Sequence, residues 1–567
     1  MLQSLTRSVP EMATLFVQSP PRLGNQYQED ALLREFLARN LPPEVLRSIE
    51  PELVEMGEQA GGELYRLQLA DRLHEPALTQ WDAWGNRVDE IELSPLWQRA
   101  APLAAQSGLV AIPYEAKHGR YSRLHQFANV YLFHPSTDVY TCPLAMSDGA
   151  ARTLLSSGHK EAIRRAISHL TSRDPAHAWT SGQWMTETTG GSDVGASLTT
   201  AVRAEDGAWR LYGKKWFTSA VTSQMALTLA RPEGSGPGGS GLAMFYVETR
   251  DEHGRLNGIR VERLKDKLGT RKVPTAELYL DGTRATLIGE PRNGTRAIEP
   301  MLVITRTWNS VTSVAFMRRA LALARSYACE RRAFGKRLAD LPLHNDTLAT
   351  LEAETRAAFL LAFELVDLIG RQEAGEISSE QKALLRLLTP ISKLLTAKQA
   401  VAVVSETIEA FGGAGYIEDT GIPMLLRDTQ VLPIWEGTTN VLSLDAVLRG
   451  DPAAGLAALS MRARSIGSAL KDAELRALNE AVISALAKAH AWLSASRDPA
   501  VLQASARRVA MTIGRSYELA LLIDHAQWQL DTANDRSGVA AAKRFARTPI
   551  DQLYDVDSDE IALGARL

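Results

Sequence analysis

Apolar residues recur at helical spacing over 51–69, and the Pro42-Pro43 pair ahead of Glu44 reads as a helix opening. Up to about residue 180 the chain reads as helices joined by polar loops. The period then changes. Over 209–213, 225–230, 242–247 and 276–280 the chain carries short β-type runs separated by Gly and Pro clusters, the texture of an antiparallel sheet or small barrel. From 293 the helical period returns, with one apolar face kept over 315–333, 352–371 and 380–410. Gly450-Asp451-Pro452 opens a further helical stretch. The predicted class is α+β: an N-terminal helical domain (1–180), a middle antiparallel β-domain (181–292), a C-terminal four-helix-bundle domain (293–450) and an extra helical tail (451–567). Strands set apart from helices, rather than alternating with them, argue against a parallel Rossmann sheet.

Composition narrows the picture. A chain of 567 residues exceeds one hydrophobic core. A net charge of -3 gives no whole-chain field for nucleic acid or an anionic membrane. The two cysteines, Cys142 and Cys329, cannot build a disulfide framework or a Cys-rich metal site, which fits a reducing compartment. Residues 1–21 carry Glu11 and lack the apolar core of about 7–15 residues that a signal peptide needs. No apolar run reaches the ~20 residues of a membrane-spanning helix. The expected location is therefore the cytoplasm, with no membrane partner and no metal. Gly236-Pro-Gly238-Gly-Ser-Gly241 matches a dinucleotide fingerprint by letter, but it runs into a strand rather than a helix and reads as a hairpin loop. The GxxxxGK[ST], HExxH and GxSxG patterns are absent.

Four stretches carry candidate chemistry. Gln183-Trp-Met-Thr186-Glu-Thr-Thr-Gly190-Gly191-Ser192-Asp193 ends a strand in a turn that exposes N–H and hydroxyl donors to an anion or a planar heterocycle. In Lys214-Lys-Trp216-Phe217-Thr218-Ser219 an indole and a hydroxyl close a strand. Arg331-Arg-Ala-Phe334-Gly-Lys-Arg337 ends a long helix with cations and an aromatic ring, suited to a pyrophosphate. Phe411-Gly412-Gly413-Ala-Gly415-Tyr416 is followed by Ile434-Trp435-Glu436-Gly437-Thr438-Thr439-Asn440. There Glu436 sits between bulky apolar residues and a glycine, a setting that desolvates a carboxylate and strengthens it as a base. Helical spacing after it, with Thr438 or Thr439 as N-cap, puts Glu436 at a helix entrance. Each stretch alone reads more often as ordinary loop, core or helix-end chemistry than as a site.

In this order, over about residues 100–450, the four motifs resemble the acyl-CoA dehydrogenase family. Trp435-Glu436-Gly437 with Asn440, the segment Arg263-Leu-Lys-Asp-Lys-Leu-Gly and the long extensions are similar to its AidB-like branch. The resemblance implies FAD as cofactor, an acyl-CoA substrate, electron-transfer flavoprotein or another acceptor, and a dimer or tetramer. It implies that Thr186 and Ser192 contact the flavin ring and phosphate region, that Trp216 lies against the isoalloxazine and that Thr218 bonds near N5. Arg331 and Phe334 would reach the FAD of a neighbouring subunit, along which Gly412 and Gly413 also lie, with Thr438 and Asn440 bordering it. Glu436 would be the catalytic base for α,β-dehydrogenation, and Arg306 and Trp435 would face the substrate. Three residues depart from the pattern: Glu409 in place of a glutamine, Ala333 in place of a hydroxyl residue and Val303 in place of an acid. They leave flavin binding in place and weaken ordinary CoA-ester recognition. The alternative, DNA binding with weak dehydrogenase activity, requires a basic tail. The tail is close to neutral, and Arg507-Arg508 and Lys543-Arg544 read as solvated helix faces.

Overall fold

The computed structural model describes residues 18–157, 161–495, 498–556 and 558–564, so most of the stretch read as free of a signal peptide lies outside it. Three helices come first, Ala31–Asn40, Pro43–Gly61 and Glu63–Ala70. Asp30 caps the first by accepting from the Leu33 N–H at 3.0 Å, and Pro43 starts the second, where its missing N–H leaves no bond unmade. A hairpin of β1 (Ala77–Trp81) and β2 (Arg87–Glu92) then interrupts the helices that sequence alone predicted here. Its residues are mostly exposed or half-buried, so its own apolar pattern is weak. It is held from outside, by Gln80 and Arg87 donating to the Val261 carbonyl at 2.9 Å each. The helices Ser122–Phe133 and Thr141–Leu155 follow, buried on nearly every face.

The middle of the chain is a seven-stranded sheet: β3 (Ser181–Trp184), β4 (Thr200–Arg203), β5 (Trp209–Ser219), β6 (Met225–Pro232), β7 (Ala243–Glu248), β8 (Ile259–Leu264) and β9 (Thr275–Ile288). Pairings β6–β4, β4–β5, β5–β9, β9–β7 and β7–β6 close a ring, the small barrel among the sequence expectations. Most pairs are antiparallel, but β6 runs parallel to both β3 and β4. Alternation along β6 explains its unbroken apolar run: Ala226 and Ala230 face the barrel core, while Met225, Leu227 and Leu229 join the helical core. The glycine-rich stretch at 236–241 is the loop between β6 and β7.

Three helices of 32 residues each, Glu299–Glu330, Pro342–Glu373 and Ser379–Ala410, form the spine of the C-terminal part. Ser378 and Gln381 make a reciprocal capping box at the start of the third. Among the described residues that helix alone is long and apolar enough to cross a membrane, and 83% of its apolar window is buried inside the fold. The tail helices are Pro452–Ala469, Ala473–Ser494, Pro499–Ala533 and Ser537–Phe545. The longest, Pro499–Ala533, docks on the bundle through polar bonds, with Arg515 on Glu354 at 3.0 Å and the Tyr517 hydroxyl on Glu364 at 2.8 Å.

A buried ion network fixes the N-terminal helices to the bundle. Arg123 binds Asp148 at 2.7 Å and Glu373 at 2.7 Å. The Trp308 indole also donates to Asp148, at 2.8 Å. Trp308 lies one turn beyond Thr305 and Arg306, so the network sets where that turn of helix stands.

Candidate active site

Glu436 lies in the turn before the helix Thr439–Leu448, at the helix entrance that the spacing predicted. Thr438 is the N-cap residue, but its side chain makes no capping bond. Glu436 has φ +56° and Gly437 φ +109°. The first is a left-handed conformation costly for a residue with a side chain, and a Cβ at Gly437 would stand 2.8 Å from Leu442. Three side chains from two helices hold this turn. Thr305 Oγ1 donates to Glu436 Oε2 at 2.6 Å, Arg306 Nε donates to the Glu436 carbonyl at 3.2 Å, and Lys393 Nζ donates to the Gly437 carbonyl at 2.7 Å. The carboxylate itself is half-buried, and among the described bonds the Glu436 N–H has no partner. Trp435 is half-buried beside it, with its indole nitrogen buried and unbonded.

Arg306 was expected at the substrate. In the structure two of its nitrogens are engaged, Nε by the Glu436 carbonyl and Nη1 by Asp445 at 2.9 Å, so it ties the Glu436 turn to its own helix. Sequence reading missed Thr305 and Lys393 altogether. Lys393 had a faint signal, a lone cation inside the largely apolar stretch 387–397. Cys142 and Lys267 were missed too. Burial pushes the Cys142 thiol up to about 12; Lys267 opposes the rise and the Glu436 carboxylate adds to it, which places the thiol in the same electrostatic neighbourhood. Burial pushes the Lys267 ammonium down to about 8. Lys267 Nζ donates to Thr275 Oγ1 at 3.0 Å, and that hydroxyl lies 3.1 Å from Ser219 Oγ at the end of β5.

The first two motifs meet at this end of the barrel. The Trp216 N–H donates to the Thr186 carbonyl at 2.9 Å. Beneath the turn, Glu187 accepts from Lys215 Nζ at 2.7 Å, Thr199 Oγ1 at 2.6 Å and the Leu198 N–H at 2.6 Å. Burial works against the Glu187 carboxylate, yet Lys215 and these donors hold it below the usual carboxylate range. The turn above it is rigid and open: Ser192 is exposed, and nothing lies within 4 Å of a Cβ built at Gly190. The Trp216 ring is half-buried with the Lys265 ammonium 3.4 Å from its centroid. Thr218 differs from the other expected cofactor residues. It is fully buried, and its hydroxyl donates to the Ala276 carbonyl at 2.6 Å.

The third motif projects from the far end of the helix Glu299–Glu330. Phe334 (φ +50°) and Gly335 (φ +77°) make the two-residue turn between β10 (Arg332–Ala333) and β11 (Lys336–Arg337), leaving Phe334 96% exposed. Phe411 packs on Tyr327 of that helix, ring centroids 4.7 Å apart, which brings the exposed Gly412 and Gly413 to the same end. Thr305 and Arg331 are 26 positions apart along the helix, or roughly 39 Å at 1.5 Å per residue. Arg331 and Phe334 therefore do not share a site with Glu436 of their own chain. Asn440 is exposed in the first turn after Thr438.

Comparison with known proteins places this geometry. The chain is 45% identical over 547 residues to Acyl-CoA dehydrogenase family member 11 of Caenorhabditis elegans, spanning 94% of this chain and 88% of that protein. This chain belongs to the acyl-CoA dehydrogenase family. The family is one of flavoprotein oxidoreductases. Four domain families tile the sequence: the Adaptive response protein AidB N-terminal domain over 18–174, the acyl-CoA dehydrogenase middle domain over 182–283, the acyl-CoA dehydrogenase C-terminal domain over 292–449, and the Acyl-CoA dehydrogenase 11 C-terminal domain-like family over 456–561. The putative acyl-CoA dehydrogenase AidB of Escherichia coli is 31% identical over 405 residues, 70% of this chain and 73% of that protein. The crystal structure of Caenorhabditis elegans ACDH-11 in complex with C11-CoA superposes with a TM-score of 0.92 at 42% identity, covering 97% of this chain and 96% of that one. The AidB-like branch and the fold read from sequence both hold.

Proposed function

We propose that this protein is an FAD-dependent acyl-CoA dehydrogenase in which Glu436 takes the α-proton of an acyl-CoA thioester. The observation that carries the reading is the turn at 436–437. Thr305 holds the carboxylate, while Arg306 and Lys393 hold the backbone carbonyls of Glu436 and Gly437, so two long helices fix a strained turn and the acid it carries. A thioester α-hydrogen is too weakly acidic for a freely solvated carboxylate, so the developing negative charge on the carbonyl needs a donor. The unpartnered Glu436 N–H supplies one beside the base. The thioester loses the α-proton to the carboxylate and a hydride from Cβ, leaving an α,β double bond.

The residues expected to hold FAD fit such a group. The backbone at Gly190, Gly412 and Gly413 faces open space, and Ser192 and Phe334 are exposed and available. When bound, FAD supplies the hydride acceptor. The roughly 39 Å between Thr305 and Arg331 along the helix Glu299–Glu330 supports a site shared between subunits, with Arg331, Phe334, Gly412 and Gly413 serving a neighbour. C11-CoA in the similar ACDH-11 structure supports an acyl-CoA thioester as substrate.

A DNA-binding role finds no support in the tail. Several of its cations sit on acids, Lys471 on Asp531, Lys488 on Asp551, Arg462 on Asp524, Arg536 on Asp472 and Arg544 on Asp346. Those pairs reduce the charge available to neutralise phosphates. The test of the main reading is Glu436→Gln: flavin content stays, and anaerobic bleaching of the flavin by acyl-CoA disappears. Bleaching at the wild-type rate would remove Glu436 from the role of base.

A further inference from the structure

We propose that Lys393 is a positioning residue for Glu436, tying down the turn that carries the base. The inference rests on Glu436 being the base. Lys393 is 0% exposed in the middle of the helix Ser379–Ala410, between Ile391 and Leu394, both fully buried. A buried ammonium is costly unless paired, yet among the described residues Lys393 forms no ion pair. Its hydrogen bond goes to the Gly437 carbonyl at 2.7 Å. Arg306 holds the preceding carbonyl, that of Glu436, from the facing helix. Two consecutive peptide groups are thus fixed by two cations on different helices, at the pair of residues with φ +56° and +109°. Removing either cation frees one end of the strained turn.

Burial pushes the Lys393 ammonium down to about 7; the Glu436 carboxylate pulls it back up and Arg306 pushes it further down. The surrounding charges do not compete for it. Asp445 is taken by Arg306 at 2.9 Å and Arg386 at 2.9 Å. Further along the helix, Gln399 meets Glu354 and Glu518, and Arg515 engages Glu354. Glu436 is therefore the anion that favours the charged form of Lys393.

The experiment is the pH profile of anaerobic flavin bleaching by C11-CoA in the wild type, Lys393→Met, Lys393→Gln and Glu436→Gln, with thermal unfolding followed over the same pH range. Methionine keeps the length of the stem, and exchanging a buried ion for an apolar residue of similar volume is commonly neutral or stabilising. Glutamine retains a neutral donor and carries the same test if the methionine variant lacks a native melting transition. Both variants are expected to keep their flavin and to slow bleaching across the pH range, by about tenfold at neutral pH. The melting curves give a second reading that does not depend on Glu436. With Lys393 lowered to about 7 from 10.5, the unfolded chain holds a proton through that window that the folded one has lost. Wild-type stability therefore rises with pH there, and the rise is absent from Lys393→Met. Bleaching at the wild-type rate in both variants, with Glu436→Gln inactive, overturns the role of Lys393 and leaves the base standing. Wild-type bleaching by Glu436→Gln overturns both.

Discussion

Arg123→Met tests whether the buried ion network sets the frame of the site. Arg123 and Asp148 side chains are 1% and 0% exposed, and Glu373 is 16% exposed. Replacing the arginine strands Asp148 in the interior, a change worth about 3–5 kcal/mol when one partner of a buried pair is removed. Asp148 keeps Tyr114, Gln126 and Trp308 as donors, at 2.7, 2.9 and 2.8 Å, which places the loss at the low end. Glu373, reaching solvent, adds up to about 1 kcal/mol. The expected destabilisation is therefore about 3–4 kcal/mol. Urea unfolding followed by tryptophan fluorescence measures it, comparing midpoints between variants of equal slope. Arg123→Lys keeps the charge but cannot span two carboxylates in a fork, so it should fall between wild type and the methionine variant. A loss under about 1 kcal/mol for Arg123→Met, or a lysine variant worse than the methionine one, would refute the claim that the network holds the two layers together.

Three further outcomes follow from the site. Thr305→Val preserves shape and removes the 2.6 Å donor to Glu436; a hydrogen bond to a charged group is worth about 1.5–3 kcal/mol, so single-turnover bleaching should slow by about tenfold or more. Gly437→Ala should lower the melting temperature and the bleaching rate together, because φ +109° and the Leu442 side chain both exclude a methyl group, at about 1–3 kcal/mol. Burial raises the Asp428 carboxyl to about 7, against the pull of the Thr270 N–H. A raised carboxyl contributes stability at low pH that is lost as pH climbs from about 4 to 7, so Asp428→Asn should gain in melting temperature over wild type at pH 8 and lose that gain at pH 4.

Much of this architecture could be read from the chain because each block buries one face with its own period. The runs at 209–213 and 276–280 became parts of β5 and β9, and the stretch 380–410 became one helix. The β1–β2 hairpin could not be read that way, since what stabilises it is the Val261 carbonyl more than 170 residues away. The site divides along the same line. Glu436, Trp216 and Thr186 announced themselves through local motifs. Thr305 and Lys393 act across 131 and 44 residues, and helix periodicity carries no mark of which buried polar residue will meet a distant turn. Arg306 was noticed, yet only the structure shows it bonded to Asp445 and to the backbone of Glu436. Thr218 was read as a cofactor contact, while the fold gives its hydroxyl a strand partner.

Rapid mixing of the purified yellow holoprotein with an acyl-CoA thioester, without oxygen, compares wild type and Glu436→Gln most directly. Loss of colour on mixing in the wild type, with none in a variant that retains its full flavin, is the predicted result. Equal rates of colour loss in the two proteins would contradict the assignment of the α-proton to this carboxylate.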